Sequence, residues 1–228
     1  MKNRYLLLFL LAGSLVACEA TTPTFQTGPF AEMSADGLAK VNNSVVSKAW
    51  IRPGIDLTGY DKIMLIDAGI RYRSVREVNR LYNSSITEFP LDQSQRDRIE
   101  TSVREVFNEE MAKFQRLEIV REAGPDTLAL TGMLVDVTSF VPPQGAFRAD
   151  YYLSAIGEAT LILELSDSMS DQVLARAADR RVINTSFTGA STSVTNRFDF
   201  ERELQAWSSI IITNLERLVD TPMLPAEN

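Results

Sequence analysis

The chain has 228 residues, 45% of them hydrophobic, with 23 Lys and Arg against 30 Asp and Glu, a formal charge of −7, one cysteine and no histidine. The missing histidines and the single cysteine remove His-ligated haem, Ser-His-Asp and Cys-His catalysis and most zinc sites. The acidic balance withholds the basic surface that nucleic acid demands, so no nucleic-acid partner is expected.

Lys2 and Arg4 precede an apolar run from Tyr5 to Val16. Crossing a bilayer takes about 20 apolar residues. A charged start, a shorter apolar run and small residues at its end describe an export signal, here residues 1–17. Leu15-Val16-Ala17-Cys18 resembles the lipobox of bacterial lipoproteins. The resemblance implies cleavage between Ala17 and Cys18, a diacylglycerol on the Cys18 thiol and an acyl chain on its freed amine. Each buried methylene contributes about 0.8 kcal/mol, so such lipids hold a protein to a membrane almost permanently. Cleavage would remove Lys2 and Arg4 and no acidic residue, taking the formal charge from −7 to −9. Glu19 is not the Asp that retains lipoproteins at the inner membrane in well-studied sorting. The implied location is the inner leaflet of the outer membrane, facing the periplasm. A lipidated Cys18 leaves no thiol for a disulfide or a metal, and no other cofactor is expected.

Residues 18–44 are rich in Thr, Gly, Pro, Ser and Ala without a clear apolar period, which predicts a flexible tether. A single domain is expected over 45–228. Trp50 to Gly54 reads as an extended entry ending in a turn. Ile63-Met64-Leu65-Ile66, within Tyr60 to Ile70, reads as a buried central strand. Residues 71–94 carry mixed signals: Val75, Val78 and Leu81-Tyr82 fit a short helix, whereas Asn83 to Thr87 and Phe89-Pro90 fit loop and edge. Ile99, Val103, Val106, Phe107, Met111 and Phe114 recur at helical spacing, predicting a helix from Gln95 to Lys113 that starts at Ser94 with Asp97. Leu117 to Val120 predicts a short strand, and Leu128 to Val141 a long one closed by Pro142-Pro143.

Tyr151 to Asp167 alternates cleanly, with Leu153, Ala155, Gly157, Ala159, Leu161, Leu163 and Leu165 on one face. A three-residue turn centred on Met169 returns Val173 to Ile183 antiparallel, pairing Leu165 with Val173, Leu163 with Ala175 and Glu158 with Arg180. Asn184 to Asn196, dense in Ser and Thr, reads as loop. Phe200, Leu204, Trp207, Ile211, Leu215 and Leu218 form the stripe of a second helix over Arg197 to Val219, capped by Asn196 and stopped by Pro222. Strand, helix, a run of strands and helix predict an α+β fold: a mainly antiparallel sheet with two principal helices packed on one face.

An ordered set of segments resembles a bacterial lipoprotein family catalogued as domain of unknown function 3313. These are Arg52-Pro53-Gly54-Ile55-Asp56-Leu57, Tyr60-Asp61-Lys62, Phe89-Pro90-Leu91, and Gly124 to Leu128 with Asp136. They continue through Gly157-Glu158-Ala159-Thr160-Leu161, Asp167-Ser168, Leu174-Ala175-Arg176-Ala177 and Asp179-Arg180-Arg181. The likeness spans Trp50 to Leu218. Members often carry Gly in the turn near Met169, where this chain has Ser170-Asp171. The family implies a lipid-anchored envelope protein and supplies no catalytic residues.

Glu158, Asp179, Arg180 and Arg181 form the polar cluster most open to a functional reading. Two carboxylates with two guanidiniums could serve a periplasmic hydrolase; cross-strand ion pairing on a sheet face accounts for them more simply. Asp136 reads as a polar residue near a strand end rather than a catalytic acid. Ser47-Lys48 has no recognised Ser-Lys spacing. The small residues Ala155, Gly157, Ala159, Ala175 and Ala177 form a patch that could be a ligand groove or a partner's seat; close packing by the Trp207 helix is the favoured reading. No metal set is recognised. The combined reading is a non-enzymatic binding or scaffolding lipoprotein, joined to the membrane by lipid and partnered by an envelope protein; the carboxylate hydrolase is the alternative.

Overall fold

The structure, a computed structural model, describes residues 22–75, 88–143, 152–186, 191–221 and 226. The expected signal with Ala17 and Cys18, the short helix around Val78 and Leu81-Tyr82, Tyr151, and the stop at Pro222 lie outside the described residues. In chain order the elements are β1 (Thr24–Phe25), β2 (Ala39–Asn42), β3 (Lys48–Ile51), β4 (Lys62–Tyr72), α1 (Gln93–Met111), β5 (Glu118–Val120), β6 (Thr127–Ser139), β7 (Ala155–Asp167), β8 (Val173–Asn184) and α2 (Ser193–Asp220). Eight strands form one sheet in the order β1-β2-β3-β8-β7-β6-β4-β5. All neighbours are antiparallel except β4, which runs parallel to both β5 and β6. A parallel pair needs a long crossover, and α1 is in that connection. The two helices pack together over one face, which gives the expected α+β layers.

The predicted tether differs from the structure. Within residues 22–44, β1 pairs with β2 and β2 with β3, so the sheet starts at Thr24 rather than near Val45. Phe25, Leu38, Ala39 and Val41 are buried. Phe25, Ala39 and Val41 form a small core with Ile51, against which Ile55, Ala175 and Leu218 pack. Strands of two and four residues are too short to show a period, so the Thr- and Gly-rich composition dominated the reading. All the named elements begin after residue 22, so a chain starting at Glu19 keeps them all.

Both helices begin earlier than their apolar stripes. The Asp92 side chain accepts from Gln95 N at 2.8 Å while the Gln95 side chain accepts from Asp92 N at 2.8 Å, so the cap is Asp92 rather than Ser94. Thr192 and Thr195 make the same reciprocal box for α2, moving its start from Arg197 to Ser193. A box satisfies two of the free N–H groups at a helix start, so helices begin where it forms rather than where burial begins.

The β7–β8 hairpin slips by two residues from the expected register. Leu165 faces Ala175, Leu163 faces Ala177 and Glu158 faces Val182. The turn holds four residues, Ser168–Asp171, because Asp167 Oδ1 accepts from Met169 N, Ser170 N and Ser170 Oγ at 3.1, 2.8 and 2.7 Å. Asp171 closes the turn at φ 56°. A slip of two keeps every side chain on its expected face. Gly157 has a different role from the one its small size suggests. A Cβ there would lie 2.4 Å from the Thr138 carbonyl oxygen, so the neighbouring strand, not a helix, requires glycine.

Ile63, Leu128, Leu130 and Leu165 meet Met111, Phe114, Ile212 and Leu215 in the largest core. Trp207 and Leu204 of α2 join Val106, Leu134 and Ala159 in the next. Trp207 is 2% exposed, as its place in the stripe predicts. Truncating a packed Trp costs about 3–5 kcal/mol, so Trp207→Ala should lower the urea midpoint strongly. A change within about 0.5 kcal/mol would mean that α2 is not docked. Starting the chain at Asn43 removes four buried side chains, each worth about 1.5–3 kcal/mol when apolar and large. Its midpoint should fall well below that of the chain starting at Glu19, and equal midpoints would contradict the eight-stranded sheet.

Candidate functional site

Neighbouring residues on a strand point to opposite faces, and this divides the predicted polar cluster in two. Ala159 and Leu161 of β7 contact the helices, so Glu158 lies on the far face. There Glu158 Oε2 pairs with Arg180 Nη2 at 2.6 Å and Oε1 with Arg73 Nη2 at 2.7 Å. Arg73 Nη1 also holds Glu88 Oε1 at 2.6 Å. Arg180 sits across from Thr160 and reaches Glu158 diagonally. The four residues Glu158, Arg73, Glu88 and Arg180 thus tie β7 and β8 to the chain leaving β4.

Asp179 and Arg181 belong to the helix face. Asp179 Oδ1 accepts from Ser47 N at 2.9 Å and Ser47 Oγ at 2.7 Å. Its Oδ2 accepts from Trp207 Nε1 at 2.8 Å and Arg181 Nε at 2.9 Å. A carboxylate offers about four lone-pair sites, and these four donors occupy them. Arg181 continues to Glu203 Oε1 at 2.7 Å and lies 5.4 Å from the Trp207 ring centroid. Ser47, one of the serines weighed as a nucleophile, is a fastener between the approach to β3 and β8. Asp136 is exposed at φ 54°, where the β6–β7 register shifts, so it shapes a bulge.

Burial pushes the Glu158 carboxyl up, but the Arg180 and Arg73 guanidiniums outweigh it and hold the group below the ordinary carboxylate range. Burial likewise raises Asp179, and Ser47, Trp207 and Arg181 together bring it below that range. Neither is poised to donate a proton near neutral pH, and the sheet separates them. The geometry therefore gives the hydrolase pairing no shared site. Among the described residues, no group of three His, Cys, Asp or Glu is placed to hold a metal ion. No helix among them is long and apolar enough to cross a membrane.

A cleft of ≈ 380 Å³ beside the Glu158 ion pairs is lined by Tyr72, Arg73, Phe89, Leu91, Arg96 and Thr138 among others; a second, more apolar one lies elsewhere. A cleft of ≈ 340 Å³ opens between α1, α2 and the helix face of β4, β6 and β7. Leu134, Leu161, Leu163, Phe107 and Trp207 line it, and Asp67, Glu100, Arg104 and Asn108 stand among its polar lining groups. Two sequence features open it. Gly132 occupies the β6 position between Leu130 and Leu134 where a side chain would fill the space. β4 gains an extra residue between Asp67 and Ile70, with Gly69 at φ 84° and its N–H on Asp67 Oδ1 at 2.8 Å. Such a bulge bends the strand. The sequence reading assigned Val103, Phe107 and Trp207 to apolar stripes and missed the gap between the stripes; Gly132, inside a long strand, was its one visible sign.

The lowered carboxylates make a signed prediction. Their contribution to stability is complete above the unfolded value of about 4 and is lost as pH falls through the lower folded values. The urea midpoint should hold near neutral pH and drop below about pH 4. Asp179→Asn should be less stable at pH 7 and show a shallower acid dependence. Parallel pH curves for the two proteins would remove Asp179 from the linkage.

The fold is similar to several solved structures at low identity. Protein XCC0632 from Xanthomonas campestris, of family DUF330, is 10% identical with a TM-score of 0.38, covering 86% of this chain and 97% of that one. Hypothetical protein CT253 from Chlamydia trachomatis is 10% identical with a TM-score of 0.40, covering 70% and 98%. The PelC dodecamer from Paraburkholderia phytofirmans is 10% identical with a TM-score of 0.29, covering 69% and 96%. No curated protein matches the chain. A family profile, by contrast, matches residues 31–209, well over half of the length, and the chain belongs to the family described as protein of unknown function, DUF3313.

Proposed function

We propose that the chain is a lipid-anchored lipoprotein of the bacterial cell envelope, held in the outer membrane and facing the periplasm, whose folded part is a non-enzymatic binding module. The anchor rests on Leu15-Val16-Ala17-Cys18 at the end of the Tyr5 to Val16 run. Glu19 after the cysteine supports the outer membrane over the inner. The binding role rests on one observation: the polar groups that could do chemistry are consumed by one another, while a formed apolar cleft stays open. Glu158 and Asp179 each hold two or more donors on opposite faces of the sheet. The cleft's volume of ≈ 340 Å³ falls within the usual span of ligand sites, about 300–1,000 Å³.

Cys18→Ser tests the anchor. The variant should accumulate as an uncut precursor and take up no labelled palmitate in cells where the parent is labelled. Normal cleavage with unchanged membrane retention would falsify the lipoprotein reading and leave the cleft untouched as a question.

A further inference from the structure

We infer that the cleft receives a single linear acyl chain, with the polar head of that amphiphile left at the rim beside Arg104. The inference rests on reading the domain as a binding module and names the ligand class of that site.

The interior dictates the tail. Leu134, Leu161, Leu163, Phe107 and Trp207 offer apolar surface on three sides. An apolar cavity of about 150 Å³ takes one benzene, so ≈ 340 Å³ has room for roughly twelve carbons. One wall follows α1 from Glu100 to Asn108, about 12 Å at 1.5 Å per residue. A flexible chain fills such a shape better than a compact ring system.

Ser208 lines the cleft from α2 and is 6% exposed. A bound chain that carries an ester or hydroxyl oxygen near its head would meet a hydroxyl there, able to donate or accept.

Polar side chains among the lining residues speak for the head. Arg104 is exposed and its guanidinium has no ion pair among the described residues. It suits a carboxylate or a phosphate. Asp67 and Glu100 line the same cleft, so a head that also carries an amine is favoured over a bare acid. The two sources of such a chain are a free fatty acid and a lysophospholipid.

The test uses the chain from Glu19 to Asn228 with Trp50→Phe, leaving Trp207 as the emitting indole. Laurate and lauroyl lysophosphatidylethanolamine, each brominated on the chain, are titrated below their micelle concentrations. Saturable quenching of Trp207 at one probe per chain is the expected result, with the lysophospholipid tighter. Gly132→Val adds bulk to the floor, where a Cβ makes an ordinary contact with Leu163 Cδ2, at 3.6 Å. It should weaken either probe at least tenfold while the urea midpoint holds or rises. Arg104→Gln, at an exposed position, should weaken both charged probes several-fold and leave lauryl alcohol unchanged. Tighter laurate would assign the fatty acid as the source. Absence of quenching, or quenching that Gly132→Val leaves intact, overturns the acyl chain. Mass spectrometry of small molecules released from envelope-isolated protein then separates the two readings. A non-lipid compound present in the parent and absent from Gly132→Val would keep the binding module and reject the lipid. Nothing released, together with no probe binding, rejects both.

Discussion

Asp179 places a negative charge where β8, the approach to β3 and α2 meet. A carboxylate removed from water is tolerated only when its lone pairs are filled, and here Ser47, Arg181 and Trp207 fill them. The arrangement works in both directions. Asp179 stays ionised because it is surrounded by donors, and the indole of Trp207 is held in one orientation because its N–H has a single destination. With the ring fixed, α2 has one seat on the sheet. The Arg181 guanidinium, stacked over the same ring and joined to Glu203, completes the lock.

On the other face Glu158 does comparable work, three positions along β7 from Leu161, the residue opposite Asp179. Its two guanidinium partners come from β8 and from the chain leaving β4. The two carboxylates brace opposite faces of the sheet, and so one cannot assist the other in chemistry. Polar residues that look like a reaction centre in one dimension become two structural knots in three. The unfilled space lies between them and the helices, where the packing is apolar.

The alternating residues of β7 and β8 and the stripes of α1 and α2 were legible, because burial imposes a period on them. The layer order followed from that. What escaped the sequence had no period to show. β1 and β2 bury Phe25 and Val41 through pairs only a few residues long. The helix starts depended on Asp92 with Gln95 and Thr192 with Thr195, which act through hydrogen bonds rather than burial. The hairpin register turned on Asp167 gathering three donors in its turn. At the site, the sequence grouped Glu158, Asp179, Arg180 and Arg181, whose ion pairs lie on two faces: Glu158 with Arg180, and Asp179 with Arg181. Their partners Arg73, Ser47 and Trp207 lie far away in sequence, and only the folded chain brings them together.

Gly132 connects stability to the cleft. A glycine inside a strand forgoes packing and loses more chain entropy than a residue with a side chain, roughly 0.5–1 kcal/mol relative to Ala. Leu130 and Leu134 flank it on the same strand and are both buried, so the vacancy lies within the core layer rather than at a frayed end. Variants gathered by thermal resistance alone would therefore drift toward larger residues at 132 and toward a closed floor. Sorting of that kind commonly trades away the very openness that a site needs. In this fold, then, resistance to heat and access to the space beneath α1 meet at Gly132, and there they pull in opposite directions.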